Sequence, residues 1–208
     1  MDSEWWTIAL LVGVLVALPL LRPLLRQLLA GTIGRSALGR QADGIHLDRT
    51  EPHWRDDAWR EQVRGEFEAL GFVDAGCFTI REMRGLNLLI MIHAEQGFSC
   101  FAYEHLQAGR WFEVVSRYED GTSACYGTSL PTGLEPRPGH IAERMPGAGP
   151  SAVWQRAQRD RPRKPMLERS IETAPGDFEQ AYAESLAWRK QQGLSRAEVV
   201  EASLSKAA

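Results

Sequence analysis

Residues 86–121, LNLLIMIHAEQGFSCFAYEHLQAGRWFEVVSRYEDG, decide how this chain folds. Short runs of β-branched and aromatic side chains alternate there with Gln96-Gly97, Gln107-Ala108-Gly109 and Asp120-Gly121. Apolar runs between glycine-bearing joints read as strands and turns. The joints are far shorter than the dozen or so residues that a parallel crossover needs, so successive strands must be antiparallel neighbours. With CFTIREM at 77–83 before them and TSACYGTS at 122–129 after them, the pattern predicts a five-stranded antiparallel β-meander over residues 77–129. Asp120-Gly121 is the strongest turn signal, because a tight primed turn needs positive φ.

The turns set a register. A turn at Gln96-Gly97 places Ile92 opposite Phe101 and Ile90 opposite Tyr103; a turn at 106–109 places Phe112 opposite Tyr103 and Val114 opposite Phe101. Side chains alternate across a strand. One face therefore collects Ile90, Ile92, Phe101, Tyr103, Phe112 and Val114, and the other His93, Cys100, Glu104, Trp111, Glu113 and Arg117. The first face is expected to bury under a helix over 54–70, with a later helix as a second cover; within 54–70, Trp59, Val63, Phe67 and Leu70 recur at helical spacing between Pro52 and Gly71. The second is mixed in character and is expected to be only partly covered.

Working outward, the N-terminal stretch from Trp5 to Leu21 carries no charged side chain. At 1.5 Å per residue it covers roughly 25 Å of a hydrocarbon core about 30 Å thick, and Leu24, Leu25, Leu28 and Leu29 extend it. Trp5 and Trp6 stand where an interfacial anchor would, and the stems of Arg22 and Arg26 can snorkel. The expectation is a single transmembrane helix with an interfacial extension over residues 1–30. Arginines follow the span and acids precede it, so the N-terminus is expected outside and the rest cytoplasmic, at the inner or plasma membrane.

Beyond the anchor, the expected organisation is a linker at 31–53, an α+β core at 54–130 and a Pro/Gly/Arg-rich arm at 131–176 with a short helix capped by Ser151. C-terminal helices follow at 177–208, opened by the capping boxes Asp177–Gln180 and Ser195–Glu198. The fold class is therefore α+β: one transmembrane helix, then a helix packed on a five-stranded meander, then C-terminal helices.

The net charge of −3 and the lack of aromatic stacking partners beside the cations argue against a nucleic-acid partner. Three widely spaced cysteines imply no disulfide framework. There is no CxxC, HxH or HExxH motif, and the GAG at 147–149 lacks the lysine of a phosphate loop, so no metal or cofactor is assigned.

The weak candidates for chemistry sit on the mixed face. Cys100 beside His93 has the composition of a nucleophile and its base, but apolar neighbours and the absence of an orienting third group argue for a buried thiol. Glu104 and Glu113 near Arg117 form either an acid–base pair or a cross-strand charge lattice, and the lattice is the commoner arrangement. Arg156, Arg159, Arg161, Arg163, Lys164 and Arg169 make a basic stretch that would suit anionic lipid headgroups, or else a solvated loop.

With no catalytic constellation in view, the sequence reads as a membrane-anchored adaptor or accessory subunit with a protein partner. The alternative is a membrane-tethered enzyme or small-ligand-binding domain that uses the mixed face of the sheet; a deep pocket with converging polar groups there would favour it.

Overall fold

A computed structural model describes residues 43–51, 53–130 and 136–192. It has α+β architecture, with a seven-stranded mixed sheet in the order β1 to β7. The strands are β1 (Leu47–Arg49), β2 (Val73–Ile80), β3 (Leu86–His93), β4 (Phe98–His105), β5 (Gly109–Arg117), β6 (Ser123–Gly127) and β7 (His140–Arg144). Three helices flank it: α1 (Asp57–Ala69), α2 (Pro150–Asp160) and α3 (Ala174–Gln192).

Two expectations are corrected. The sheet has seven strands rather than five. The meander from β2 to β6 is antiparallel, and it gains an edge strand at each side: β1 pairs antiparallel with β2, and β7 runs parallel to β6. Neither edge strand has an alternating apolar pattern. Both form because the outer backbone N–H and C=O groups of β2 and β6 offer a ladder to any extended neighbour. In addition, no helix among the described residues is long and apolar enough to cross a membrane. The expected span at residues 1–30, with Trp5, Trp6, Arg22 and Arg26, lies outside the described residues.

Helix α1 follows local rules. The Asp56 carboxylate caps it by accepting from the Trp59 N–H at 2.9 Å. Gly71 ends it with φ of 94°, while Phe72 N–H donates to Phe67 O and Gly71 N–H to Glu68 O, each at 3.0 Å. That pair of bonds is a Schellman motif, which needs a residue comfortable at positive φ. Helix α2 begins one residue before its expected cap, with Gly149 as N-cap and Pro150 in the first turn, where its missing N–H costs nothing. Helix α3 starts at Ala174, so Asp177 lies within its first turns rather than capping it; Gly193, Ser195 and Glu198 lie outside the described residues.

The register departs from expectation at two turns, with different consequences. Between β3 and β4 the chain makes a 3-10 turn over Ala94–Gln96 closed by Gly97 at φ 67°, so Ile90 faces Phe101 and His93 faces Phe98. This is a shift of two, and the faces stay as predicted. Between β4 and β5, His105 Nδ1 accepts from the backbone N–H of Gln107 at 3.2 Å and of Ala108 at 3.1 Å. The loop holds three residues, His105 pairs with Gly109, and Trp111 rather than Phe112 faces Tyr103. A slip of one residue exchanges the two faces of a strand. Phe112 and Val114 therefore join Cys100 and Ala102, whereas Glu113, Val115 and Arg117 join Phe101 and Tyr103.

Both faces of the sheet are covered. Val63 and Phe67 of α1, with Val153, Trp154 and Ala157 of α2, pack on Leu89, Met91, Cys100, Phe112 and Val114. Thus α1 covers the face opposite to the one expected. Ile45, Ala174, Phe178 and Tyr182 pack on Leu88, Ile90, Phe101 and Tyr103. Burial on both sides explains the unbroken apolar run Leu88–Ile92 at the centre of the sheet.

Phe67 is fully buried against Phe72 and Phe112, with ring centroids at 5.1 and 5.5 Å. Phe67→Ala should destabilise the fold by about 3–5 kcal/mol, read as a lower urea midpoint with unchanged slope. A loss of less than about 1 kcal/mol would show that α1 does not close this face.

Candidate functional site

The register places a distinct set of side chains beneath α3. Ser99, Phe101 and Tyr103 come from β4, Glu113, Val115 and Arg117 from β5, and Cys125 from β6, all on one face. Ala174, Asp177, Phe178, Ala181 and Tyr182 form the roof at helical spacing. A cavity of about 240 Å³ lies between them. It exists because Ser99, Glu113 and Arg117 stand in the floor where a core would carry apolar side chains, and because Ala174 and Ala181 are too small to fill the gap.

The cavity has two chemically different ends. At one end the Glu113 carboxylate accepts from Tyr103 Oη at 2.8 Å and from the Cys125 thiol at 3.2 Å, with the Arg144 guanidinium at 3.7 Å. At the other, Arg117 donates to Glu184 at 2.7 Å, and Arg169 donates through Nη1 to Asp177 Oδ2 at 2.8 Å. Thr173 Oγ1 also donates to that Asp177 oxygen, at 3.2 Å. Arg169 is only 8% exposed, and its Nε is buried without a hydrogen-bond partner among the described residues. Val115 separates the two ends along β5. Glu113 and Arg117 are four residues apart, so their Cα atoms are roughly 14 Å apart at about 3.4 Å per residue.

The protonation states suit binding better than covalent chemistry. Burial first, and the Glu113 charge second, push the Tyr103 phenol and the Cys125 thiol well above their ordinary values. Burial does the same to Cys100 and, more weakly, to Cys77. These thiols stay neutral near pH 7, and the thiolate is the reactive form. Burial also lowers the Arg169 pKa, against the pull of Asp177. Among the described residues no three His, Cys, Asp or Glu side chains converge as metal ligands would.

Of the four residues singled out in the sequence, only Glu113 lies in this cavity. His93 and Cys100 share the opposite face but pair with Phe98 and Met91 respectively, rather than with each other. His93 stacks on Trp154 at 5.4 Å and meets the edge of Phe72 at 5.3 Å, within the core under α2. Glu104 is buried on that face, where its carboxylate accepts from the backbone N–H of Arg55 at 2.7 Å and of Asp56 at 3.0 Å. It holds the start of α1 to the sheet, and the whole sheet separates it from Glu113.

The basic stretch is engaged within the protein. Arg156 pairs with Glu143 and Asp160 at 2.9 and 2.7 Å, and Arg159 with Asp160 at 2.8 Å. Arg161 donates to Gln96 O at 3.0 Å and lies over the Phe98 ring. Lys164 pairs with Asp120 at 2.7 Å and holds that carboxyl far below the usual carboxylate range. Arg163 is exposed and has no partner among the described residues.

Sequence reasoning missed Arg169, Asp177 and the Tyr103–Glu113–Cys125 cluster. The available signal was His105 itself, since a side-chain acceptor two and three residues before Gln107 and Ala108 favours the shorter, three-residue loop.

Two outcomes are expected. Glu104→Ala leaves two backbone donors without their carboxylate and should cost about 1.5–3 kcal/mol, measured by urea denaturation; a neutral result would remove its anchoring role. Cys100, Cys125 and Tyr103 hold their protons more tightly in the folded state. Their contribution is therefore fully present below the unfolded cysteine pKa of about 8.5 and falls as pH rises above it. Thermal stability should decline above about pH 8.5, and less steeply in a Cys100→Ala, Cys125→Ala double variant. Equal slopes for the two proteins would contradict the assignment. No protein-family model matches the chain, and no curated protein or solved structure matches it.

Proposed function

We propose that this chain is a small-ligand-binding protein that holds its ligand between the sheet and α3. The observation that carries this reading is the cavity under α3, in which an apolar body zone separates an acidic end from a basic end. Ligand sites are concave and mostly apolar, with a few polar groups that fix orientation, and this cavity has that composition. At about 240 Å³ it is somewhat smaller than the usual 300–1,000 Å³ and suits a compact molecule.

The adaptor reading draws less support. Among the described residues, the exposed large apolar side chains Val73, Leu106, Leu130, Ile141, Leu167 and Ile171 come from the start of β2, the β4–β5 loop, the residues after β6, β7 and the α2–α3 segment. No single helix or strand face gathers them as a docking stripe would. An enzymatic reading draws no support from the neutral, hydrogen-bonded thiol and phenol in the cavity.

The test is a thermal-shift and ligand-observed NMR screen of single-ring fragments against the full chain. A fragment present at about ten times its Kd should stabilise the fold by roughly 1.4 kcal/mol. Ala181→Trp fills the roof gap and should abolish binding while the circular dichroism stays unchanged. Binding that survives Ala181→Trp, or no binding by any fragment at millimolar concentration, would defeat the proposal.

A further inference from the structure

We infer that the ligand is a small monocarboxylic acid with a flat apolar body and a hydroxyl or amino donor at its far end. This rests on the reading that the cavity binds a small ligand, and it deepens that reading.

The basic end has surplus donors. A guanidinium presents several N–H groups in a planar fork and accepts nothing. Asp177 occupies only Nη1 of Arg169, and Glu184 and the Asp177 carbonyl take only part of Arg117. Arg169 is buried, and its Nε lacks an acceptor among the described residues. A buried charged donor without a partner is unfavourable, and a carboxylate that engages the fork side-on is the group whose geometry matches it. Asp177 and the partly exposed Glu184 already balance the two arginine charges, so this end offers N–H donors rather than net positive charge, which disfavours a polyanion and leaves room for one small carboxylate.

The acidic end has acceptor capacity left. Glu113 receives two neutral donors, from Tyr103 and Cys125, and Arg144 stands off at 3.7 Å. A carboxylate has about four lone-pair sites, so a ligand hydroxyl or amine can be accepted beside them. Between the ends, Val115 and Phe101 form the floor and Phe178 the roof, which suits a flat ring. The size agrees: a dry cavity of about 150 Å³ holds benzene, and this one, at about 240 Å³, adds room for short polar arms.

The experiment titrates four probes into the full chain by calorimetry: 3-(4-hydroxyphenyl)propanoate, 3-phenylpropanoate, 4-ethylphenol and tyramine. The hydroxy acid should bind at least about tenfold tighter than 4-ethylphenol, which lacks the carboxylate, and tighter than 3-phenylpropanoate, which lacks the donor. Glu113→Gln should shrink the advantage over 3-phenylpropanoate, because the amide keeps an acceptor oxygen but loses the charge. Arg117→Gln should weaken both acids and spare 4-ethylphenol. The discrimination among probes by the unaltered protein stands even if a variant fails to fold. If 4-ethylphenol or tyramine binds as tightly as the hydroxy acid, the ligand class is wrong while the binding function survives. If none of the four binds and no fragment binds either, both fall.

Discussion

The hydrogen bonds from the backbone of Gln107 and Ala108 to the His105 ring set the parity of the whole sheet beyond β4. They hold the β4–β5 loop at three residues, with Gly109 at φ 80° closing it. Because strand side chains have a period of two, that loop length alone decides which of Phe112 and Glu113 faces α1 and which faces α3. With a loop one residue shorter or longer, Glu113 and Arg117 would be driven into the aromatic core around Phe67. The observed loop sends them to the face where α3 leaves room.

The two faces solve different packing problems. Under α1 and α2 the contacts are large, apolar and tight, with Phe67, Phe72, Phe98, Phe112 and Trp154 in edge-to-face arrangements. Under α3, strands β4 to β6 present a carboxylate, an arginine, a serine and a thiol, and the helix answers with alanines, one phenylalanine and one tyrosine. Two ion pairs, Arg117 with Glu184 and Arg169 with Asp177, and a hydrogen bond from the Leu47 N–H to Glu179 at 2.6 Å hold α3 in place. A helix fixed by polar contacts over a partly polar floor leaves a space, and that space is the candidate site.

Much of the remaining charge is likewise used within the chain. Glu104 caps the approach to α1, Asp120 orders the β5–β6 turn through the Thr122 N–H and Lys164, and Arg156 joins α2 to β7 through Glu143. Most of the cations of the α2–α3 region thus serve as joints between elements. The β5–β6 turn shows the same economy. Only Gly121 takes positive φ, and Asp120 Oδ1 accepts from the Thr122 N–H at 3.0 Å, which gives a three-residue loop with a left-handed glycine rather than a tight primed turn.

Elements whose causes are local were legible in the amino-acid pattern. Apolar runs separated by glycines specified β2 to β6 and their antiparallel order, helical spacing of Trp59, Val63 and Phe67 specified α1, and Gly71 specified where it stops. The edge strands β1 and β7 were not legible, because backbone pairing with an existing edge forms them and no side-chain pattern marks it. Of the candidate residues, Glu113 lies in the cavity, but the turn expected at 106–109 is one residue too long and gives it the wrong neighbours. Arg169 looked like one cation in a basic run. Only the tertiary structure turned it inward, because α3 carries Asp177 to it, and burial next to an apolar cavity is a property of the packed elements that no local sequence pattern encodes.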